Sequence, residues 1–338
     1  MRPQRRIPAL LVMSALSAVL VLSACGGLPD AEAGRTATAR DAPAAGEDAA
    51  DGESIVNCGT AVEVAEPPER ILTIKSTATE LVLSLGLGDR LVGTAFSDGP
   101  LPEGLADEAT DVPEVSDGVP GQEAVLELGP DLVFAGWESA FSADGVGERG
   151  SLHSFGVSTY VAPAACQGEH RPEHLDFDGV FDDIREAGTL LGAERAADDL
   201  VSEQRELLGD LDPIEDDPTA LWYSSGTDTP YVGAGSGAPH MMLQEAGFQN
   251  IADDVDDTWT SLSWEVIAER DPDVIVLVDA AWNTAEDKIA RLESSPVTSQ
   301  LSAVRDARYL RVPFAASEAG VRNVEAVADL VQQYADLG

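Results

Sequence analysis

The chain has 338 residues and carries 61 Asp and Glu against 20 Lys and Arg, a formal net charge of −41. This charge excludes nucleic acid as a partner, because a phosphate backbone binds cationic surfaces. The acidic residues are spread along the whole chain, which indicates a solubilising surface suited to a salty environment rather than one acidic docking patch.

The N-terminus has the pattern of a lipoprotein export signal. Three arginines precede an apolar run, Ile7 to Leu22, and the sequence Leu-Ser-Ala-Cys then ends at Cys25. The run is shorter than the roughly 20 residues that a membrane-spanning helix needs. We therefore expect a signal peptide at 1–24 and a lipid on Cys25 that anchors the chain to the outer face of the cell membrane. The alternative is an ordinary signal peptide with a chance cysteine.

Composition divides the remainder of the chain. Residues 25–54 are rich in Ala, Gly and acidic residues and have no aromatic side chain, which predicts a disordered tether. The remaining length, about 285 residues, suits two lobes better than one core. We expect an N-terminal lobe at 55–175, a bridging helical segment at 176–212 and a C-terminal lobe at 213–338.

Short apolar runs alternate with helical patterns, which predicts α/β layers with mostly parallel sheets. The predicted strands are Ile71–Ile74, Leu91–Ala95, Leu132–Ala135, Ser158–Val161, Ala220–Tyr223, Val274–Val278 and Tyr309–Val312. Between the two groups of strands, apolar residues recur at helical spacing on both sides of Gly192. The second of these two helices, about nineteen residues long, would span nearly 30 Å and bridge two lobes.

An internal repeat relates the two predicted lobes. Glu123 is followed by a short helical stretch, Pro130-Asp131 and a strand, and Glu265 is followed at the same spacing by Pro272-Asp273 and a strand. Proline ends the helix before the chain enters the sheet. The repeat predicts two lobes of related fold, with the two glutamates at equivalent corners. The alternative is a recurrent helix-to-strand turn with surface glutamates.

Loops after the strands are where open α/β lobes bind ligands. Aromatic faces stack on planar rings, and cations pair with phosphate or carboxylate, so these loops favour a planar, anionic ligand. The predicted ligand-binding residues are Lys75, Ser76, Trp137, Phe141, Arg149, Tyr223, Ser225, Trp259, Trp282 and Arg322. The alternative is that the tryptophans fill the lobe cores. The glycine-rich stretch Gly233–Gly237 is interpreted as a tight turn into a helix, whose amides could contact an anion.

Two cysteines remain once Cys25 is lipidated. Outside the cytoplasm, Cys58 and Cys166 are expected to form a disulfide that ties the start of the mature fold to the end of its first lobe, the alternative being two free thiols. Of the two lysines, Lys75 invites a functional interpretation, whereas Lys288 is expected to be a solvated surface residue.

The sequence does not support a metal site or an enzyme. The four histidines, His153, His170, His174 and His240, are scattered rather than grouped with carboxylates. No nucleophile elbow, HExxH motif or Ser/His/Asp set is evident. We expect no metal, no cofactor and no catalytic activity.

The segments Glu69–Leu81 and Leu85–Gly93 resemble the opening of substrate-binding proteins of the cobalamin and ferric-siderophore ABC importers, and the repeat fits the same family. The resemblance implies two Rossmann-like lobes of three α/β/α layers, joined by a long helix, with the ligand in the interlobe cleft. It also implies that Glu123 and Glu265, with Glu80 as a weaker third candidate, dock onto permease arginines. The expected partners are a small solute, the permease and its ATPase, and the chain is expected to be a monomer.

The stretches 137–149, 221–233, 257–264 and 280–284 resemble more closely an actinobacterial subfamily, whose members are named as importers of a deazaflavin coenzyme (F-420) precursor. This resemblance favours such a precursor as the ligand. An iron siderophore, haem or a corrinoid is the alternative ligand class. A sensory or adhesion lipoprotein on the same scaffold is the alternative of a different functional class.

Overall fold

The computed structural model describes residues 55–62 and 64–338. The predicted signal peptide, the tether and the lipidation site Cys25 lie outside the described residues. No helix in the described part is long and apolar enough to cross a membrane.

The first lobe is built on a five-stranded, entirely parallel sheet. Its strands are β3 (Ile71–Ile74), β4 (Leu91–Ala95), β5 (Glu114–Ser116), β6 (Leu132–Ala135) and β7 (Ser158–Val161), in the order β5-β4-β3-β6-β7. Before it, β1 (Ile55–Asn57) and β2 (Thr60–Val62) form an antiparallel pair. The helices of this lobe are α1 (Ser76–Ser84), α2 (Glu103–Ala106), α3 (Gln122–Leu128) and α4 (Arg149–Ser154).

The second lobe is built on a six-stranded mixed sheet. Its strands are β8 (Thr219–Ser225), β9 (Tyr231–Gly233), β10 (Gln249–Asn250), β11 (Trp259–Ser261), β12 (Val274–Asp279) and β13 (Tyr309–Pro313). Strands β8, β12 and β13 are parallel, whereas β9 pairs antiparallel with β8 and β11. Its helices are α7 (Ala238–Ala246), α8 (Trp264–Arg270), α9 (Ala285–Ser294), α10 (Ser302–Arg305) and α11 (Asn323–Asp336).

All seven predicted strands are present. Every residue of β3 and β6 is buried, as expected for parallel strands covered by helices on both faces. The expectation of mostly parallel sheets is confirmed, since the antiparallel pairs of the two large sheets are confined to those of β9 with β8 and β11. Strands β9 and β11 are only three residues long, too short for a clear alternation of apolar and polar residues.

The repeated Pro-Asp has the same physical role in both lobes. Asp131 accepts a hydrogen bond from the amide of Arg70 at 3.0 Å, just before β3. Asp273 accepts one from the amide of Thr219 at 2.8 Å, where β8 begins. Each aspartate therefore accepts a hydrogen bond from a backbone amide at the start of the neighbouring central strand. This bond fixes the alignment of the two strands.

Two helices connect the lobes. Helix α5 (Phe177–Leu191) begins where the amide of Leu175 donates to Ser236 of the second lobe at 3.1 Å, and it packs on the first-lobe core. At its end, Arg90 of the first lobe donates to the carbonyl of Leu191 at 2.8 Å. Gly192 adopts a φ of 64° and separates it from α6 (Glu194–Gly209).

The expectation that the second helix alone bridges the lobes is thereby corrected. Helix α6 has 16 residues and packs alongside α5, while Gln204 on it donates to the carbonyl of Val321 in the second lobe at 2.7 Å. The connection is therefore a pair of packed helices, which is stiffer than one helix because bending it would break side-chain contacts along both.

A disulfide joins Cys58 to Cys166, 108 positions apart in sequence. It links the turn between β1 and β2 to the segment that follows β7. In the chain-entropy account, closing a loop of this length in the unfolded chain stabilises the folded state by a few kcal/mol.

Replacing both Cys58 and Cys166 by Ser is expected to lower the free energy of unfolding by about 3 kcal/mol, because the unfolded chain regains the entropy of an open loop. Urea unfolding of the oxidised chain and the double variant measures the difference. Adding a reductant should shift the natural chain to the midpoint of the variant and leave the variant unchanged. Equal midpoints for all three samples would contradict the assignment.

Candidate functional site

The two lobes enclose a cleft of about 730 Å³, which lies in the range of roughly 300–1,000 Å³ typical of small-molecule sites. Both lobes and the segment after β7 contribute to its lining. Its aromatic lining residues are Trp137, Tyr231, Trp259, Trp282 and Phe314, and its polar lining residues include Ser139, Gln167, Arg171, Ser225, Ser236, Asp257, Thr258 and Glu318.

Four of the five aromatic lining residues form two pairs. Tyr231 on β9 and Trp259 on β11 stack with their centroids 5.7 Å apart and their planes at 14°. Trp282, 65% exposed, meets Phe314 edge-on at 5.8 Å. Trp137, from the loop after β6, completes the lining on the first lobe. Flat faces are thus presented from both lobes to whatever enters the cleft.

Lys75 lies beneath this lining rather than in it. Its side chain is 1% exposed and forms an ion pair with Asp98. Its ammonium lies 3.7 Å from the ring centroid of Trp137 and 4.4 Å from that of Phe96. Burial lowers the pKa of Lys75, while Asp98 raises it in part. Lys75 therefore holds Trp137 by a cation–π contact, and the prediction that it meets the ligand directly is corrected.

The backbone is strained at this point. Lys75 and Phe96 adopt φ values of 78° and 54°, in the left-handed region that only glycine occupies readily. The amide of Lys75 donates to the carbonyl of Ala95 at 3.0 Å, so the two residues leave adjacent strands side by side. Such strain persists only when surrounding contacts over-determine it, and here it aims both side chains at Trp137.

Glu318 brings a carboxylate to the cleft from the second lobe. Burial raises its pKa to about 6, with Asp98 acting in the same direction and Lys75 opposing it. Trp137, which lines the same cleft, lowers this pKa in part. Glu318 is thus the acidic end of a charge cluster that spans the lobe junction.

Arg149 and Arg322 do not reach the cleft, contrary to prediction. The guanidinium of Arg149 donates to Asn57 O at 2.7 Å and to Thr159 Oγ1 at 2.9 Å, so it ties the first hairpin to β7. Arg322 pairs with the buried Glu80 of the first lobe, with its Nε 2.6 Å from Glu80 Oε2. Both arginines are long enough to fold back onto carbonyl or carboxylate groups of the protein, which loop position alone does not reveal.

Three other predicted ligand residues have partners within their own lobes. Ser76 is buried, and its hydroxyl accepts a hydrogen bond from the amide of Asp98 at 2.9 Å. Phe141 packs against the first-lobe core. Tyr223 is fully buried and donates to Gly226 O. Of the ten predicted residues, the structure brings Trp137, Ser225, Trp259 and Trp282 together in the cleft lining.

Lys288 is also not a surface residue. It is fully buried, and its ammonium donates to Val278 O and to Asn283 O, the latter at 2.8 Å. Burial lowers its pKa to about 8. Its bonds hold the loop after β12, which carries Trp282, so this lysine orients an aromatic lining residue from behind.

Sequence reasoning missed Arg171, Asp257 and Ser236. Arg171 follows Cys166 in the segment after β7 and donates to Asp257 Oδ1 at 2.7 Å, across the mouth of the cleft. The signal that could have found it is the disulfide, which holds the segment beside the cleft. Within residues 55–62 and 64–338, no three His, Cys, Asp or Glu side chains group as metal ligands.

Comparisons with known proteins place the chain among binding proteins. The model of the family described as periplasmic binding protein matches residues 71–315. The uncharacterized ABC transporter substrate-binding lipoprotein YvrC of Bacillus subtilis is 27% identical over 286 residues, covering 80% of this chain and 81% of that protein.

A cobalamin-binding protein of Halobacterium salinarum is 31% identical over 232 residues, covering 64% of this chain and 56% of that protein. The crystal structure of an ABC-type Fe3+-hydroxamate transport system from Saccharomonospora viridis superposes with a TM-score of 0.71 at 25% identity. That superposition covers 83% of this chain and 98% of the other.

The Trp137–Glu318 contact predicts a titration near pH 6. Because burial raises the pKa of Glu318 to about 6, its carboxyl group is neutral below this pH and charged above it. The stability that it contributes is fully present below its unfolded pKa and is lost as the pH rises through about 6. Tryptophan fluorescence should change with a midpoint near pH 6, because a group that interacts with Trp137 changes charge.

Glu318→Gln should abolish this transition, whereas Glu265→Gln, on an exposed helix, should keep it. A transition that persists in Glu318→Gln would assign it to another group.

Proposed function

Because the chain belongs to the periplasmic binding protein family, we propose that its cleft captures a planar small solute and that its lobes present this solute to an ABC permease. The observation that carries the proposal is the aromatic lining, five rings contributed from both lobes. Planar solutes bury large areas between such rings and gain from stacking. A relative of this chain is named an ABC transporter substrate-binding lipoprotein, and substrate-binding proteins of ABC transporters bind small ligands and deliver them to a permease.

The charges of the lining favour a neutral solute. Asp257 and Glu318 bring two carboxylates to the cleft, and its one lining guanidinium among the described residues, Arg171, is already paired with Asp257. The sequence-based expectation of an anionic ligand assumed that Lys75, Arg149 and Arg322 would supply free positive charge. Lys75 and Arg322 are in buried ion pairs, and Arg149 is bonded to Asn57 and Thr159. An anion would therefore meet net repulsion in the cleft.

A deazaflavin coenzyme precursor is the ligand that we favour, recognised through its uncharged ring system rather than through the acidic groups of its side chain. Its ring system is flat, and its ring carbonyls are polar without being charged, which suits stacking on Trp259 and Trp282. The loop sequences around Trp137, Trp259 and Trp282 support the same choice, since they resemble the actinobacterial subfamily named for this solute.

A corrinoid or an iron siderophore is the second candidate. The relative from Halobacterium salinarum is named a cobalamin-binding protein, and the similar crystal structure is named for Fe3+-hydroxamate transport. The same aromatic lining could pack against a corrin ring. Calorimetric titration with a deazaflavin, cyanocobalamin, hemin and a ferric hydroxamate separates the candidates, and binding of cyanocobalamin alone would replace the favoured ligand.

Permease docking is proposed for Glu123 and Glu265. Both are exposed and lie in the first turn of the repeat helices α3 and α8, one on each lobe. An exposed carboxylate on each lobe would orient the protein on cationic permease residues and steer its approach. Glu80 is withdrawn from this set because it is 1% exposed and paired with Arg322.

Anchoring to the membrane through a lipid on Cys25 is part of the same proposal, supported by the Leu-Ser-Ala-Cys sequence. Mass spectrometry of the mature N-terminus tests it. A chain processed at another site, or one without a lipid, would remove this part of the proposal.

Trp282→Ala is expected to weaken ligand binding by about 1–3 kcal/mol, because an exposed ring that stacks on the ligand acts as an interface hot spot. Titration calorimetry measures the change. The matched control is Phe155→Ala, which truncates another exposed aromatic side chain outside the cleft lining and should leave affinity unchanged. Equal affinities of Trp282→Ala and the natural chain would remove Trp282 from the ligand contacts.

The double variant Glu123→Arg with Glu265→Arg should abolish solute uptake by cells while leaving ligand affinity intact, because it reverses the charge at both proposed docking points. Its matched control is Glu127→Arg with Glu269→Arg, one helical turn further along the same two helices and also exposed. Loss of ligand binding in the first pair, or equal loss of uptake in both pairs, would refute the docking assignment.

A further inference from the structure

Ser236 carries a buried hydroxyl that has no partner. The residue is 2% exposed and lines the cleft, yet its Oγ forms no hydrogen bond with the described part of the chain. A buried hydroxyl without a partner is costly, and native structures usually satisfy such groups. Because the residue lines the cleft, rotation of its side chain can turn this unpaired donor toward a bound solute.

The N-terminus of α7 lies at the same point. Gly237 is the N-cap and supplies no side chain to the first-turn amides, and both Gly237 and Ala238 line the cleft. The first N–H groups of a helix have no acceptor within it, and the helix dipole adds partial positive charge there. Because Pro239 carries no N–H, the first-turn donors of this nine-residue helix are the amides of Ala238 and His240, and Ala238 lines the cleft next to Ser236.

The turn that places these donors is fixed before any ligand binds. The amides of Ala234 and Ser236 donate to the carbonyls of Thr258 and Asp257 at 3.1 and 3.0 Å. A Cβ on Gly235 would lie 2.3 Å from the carbonyl oxygen of Asp253, so only glycine allows this approach. A rigid turn presents its donors without a further entropic cost on binding.

The negative charge of Asp257, next to the turn, determines which ligand groups these donors can bind. Asp257 Oδ1 accepts from Arg171 and from the amide of Thr258, both at 2.7 Å, so this carboxylate stays beside the turn. A phosphate or carboxylate of the ligand would be repelled by it. A neutral acceptor, such as a ring carbonyl or a carboxamide oxygen, meets the donors without that repulsion.

We propose that the Ser236 hydroxyl and the first-turn amides of α7 form a subsite that binds a neutral carbonyl oxygen of the captured solute. This inference rests on the proposed function and adds the orientation of the solute. The polar edge of the ligand points at α7, and its flat face lies against Trp259 and Trp282, which line the same cleft.

Ser236→Ala should weaken ligand binding roughly three- to tenfold, the usual value of one neutral hydrogen bond. It should not lower the melting temperature and should raise it slightly, because it removes a buried hydroxyl that has no partner in the ligand-free protein. The matched control is Ser202→Ala, which removes a hydroxyl from α6, outside the cleft lining, and should not alter affinity. The probe is 8-hydroxy-5-deazariboflavin, which has ring carbonyls but no phosphate or carboxylate. Titration calorimetry measures its affinity, and hemin and cyanocobalamin are titrated separately for comparison.

The outcomes separate the subsite from the proposed ligand. If the deazaflavin binds and Ser236→Ala binds it equally well, the subsite is wrong and the ligand stands. If only cyanocobalamin or hemin binds, the ligand is wrong, and the same comparison with the solute that binds decides the subsite. Binding of none of the three would overturn both, and a lowered melting temperature with unchanged affinity would make Ser236 purely structural.

Discussion

The ion pair between Glu80 and Arg322 is the contact on which the relation of the two lobes depends. Glu80 is 1% exposed and Arg322 14%, and no other solvent-shielded pair of opposite charges in the described chain joins the first lobe to the second. Burial raises the pKa of Glu80, while Arg322 lowers it in part. Removing one partner of such a pair costs about 3–5 kcal/mol, since it leaves a buried charge alone. This pair therefore holds the lobes in a fixed orientation.

This use of charge accounts for the character of the cleft. In a chain with 20 basic residues against 61 acidic ones, the interior carboxylates of the junction take the few available cations. Lys75 pairs with Asp98 and Arg322 with Glu80, so neither remains for a ligand. What is left in the lining is aromatic surface and neutral hydrogen-bonding groups. The proposed preference of the cleft for a neutral solute therefore follows from the use of the nearby positive charges in buried ion pairs.

The strands were more predictable from the sequence than the residues that line the cleft. Strands such as Leu91–Ala95 were found with their exact bounds, because apolar runs between turn residues specify buried strands locally. Arg149 was misplaced because a long side chain chooses among acceptors brought together by the fold, here Asn57 and Thr159, 92 and 10 positions away in sequence. The positions of tryptophan side chains were easier to predict than those of lysine and arginine side chains. An indole ring has few conformers and stays close to its own backbone, whereas a long cationic side chain can bond to distant acceptors.

The same contacts rank the ion pairs that join the lobes. Arg171 is 26% exposed and Asp257 54%, and a solvent-exposed pair of this kind contributes only about 0–1 kcal/mol. Removing one partner of the shielded pair between Glu80 and Arg322 costs several times as much. The Arg171–Asp257 pair is thus the weaker of the two, and its loss would leave the orientation of the lobes to Glu80, Arg322 and the packed helices α5 and α6.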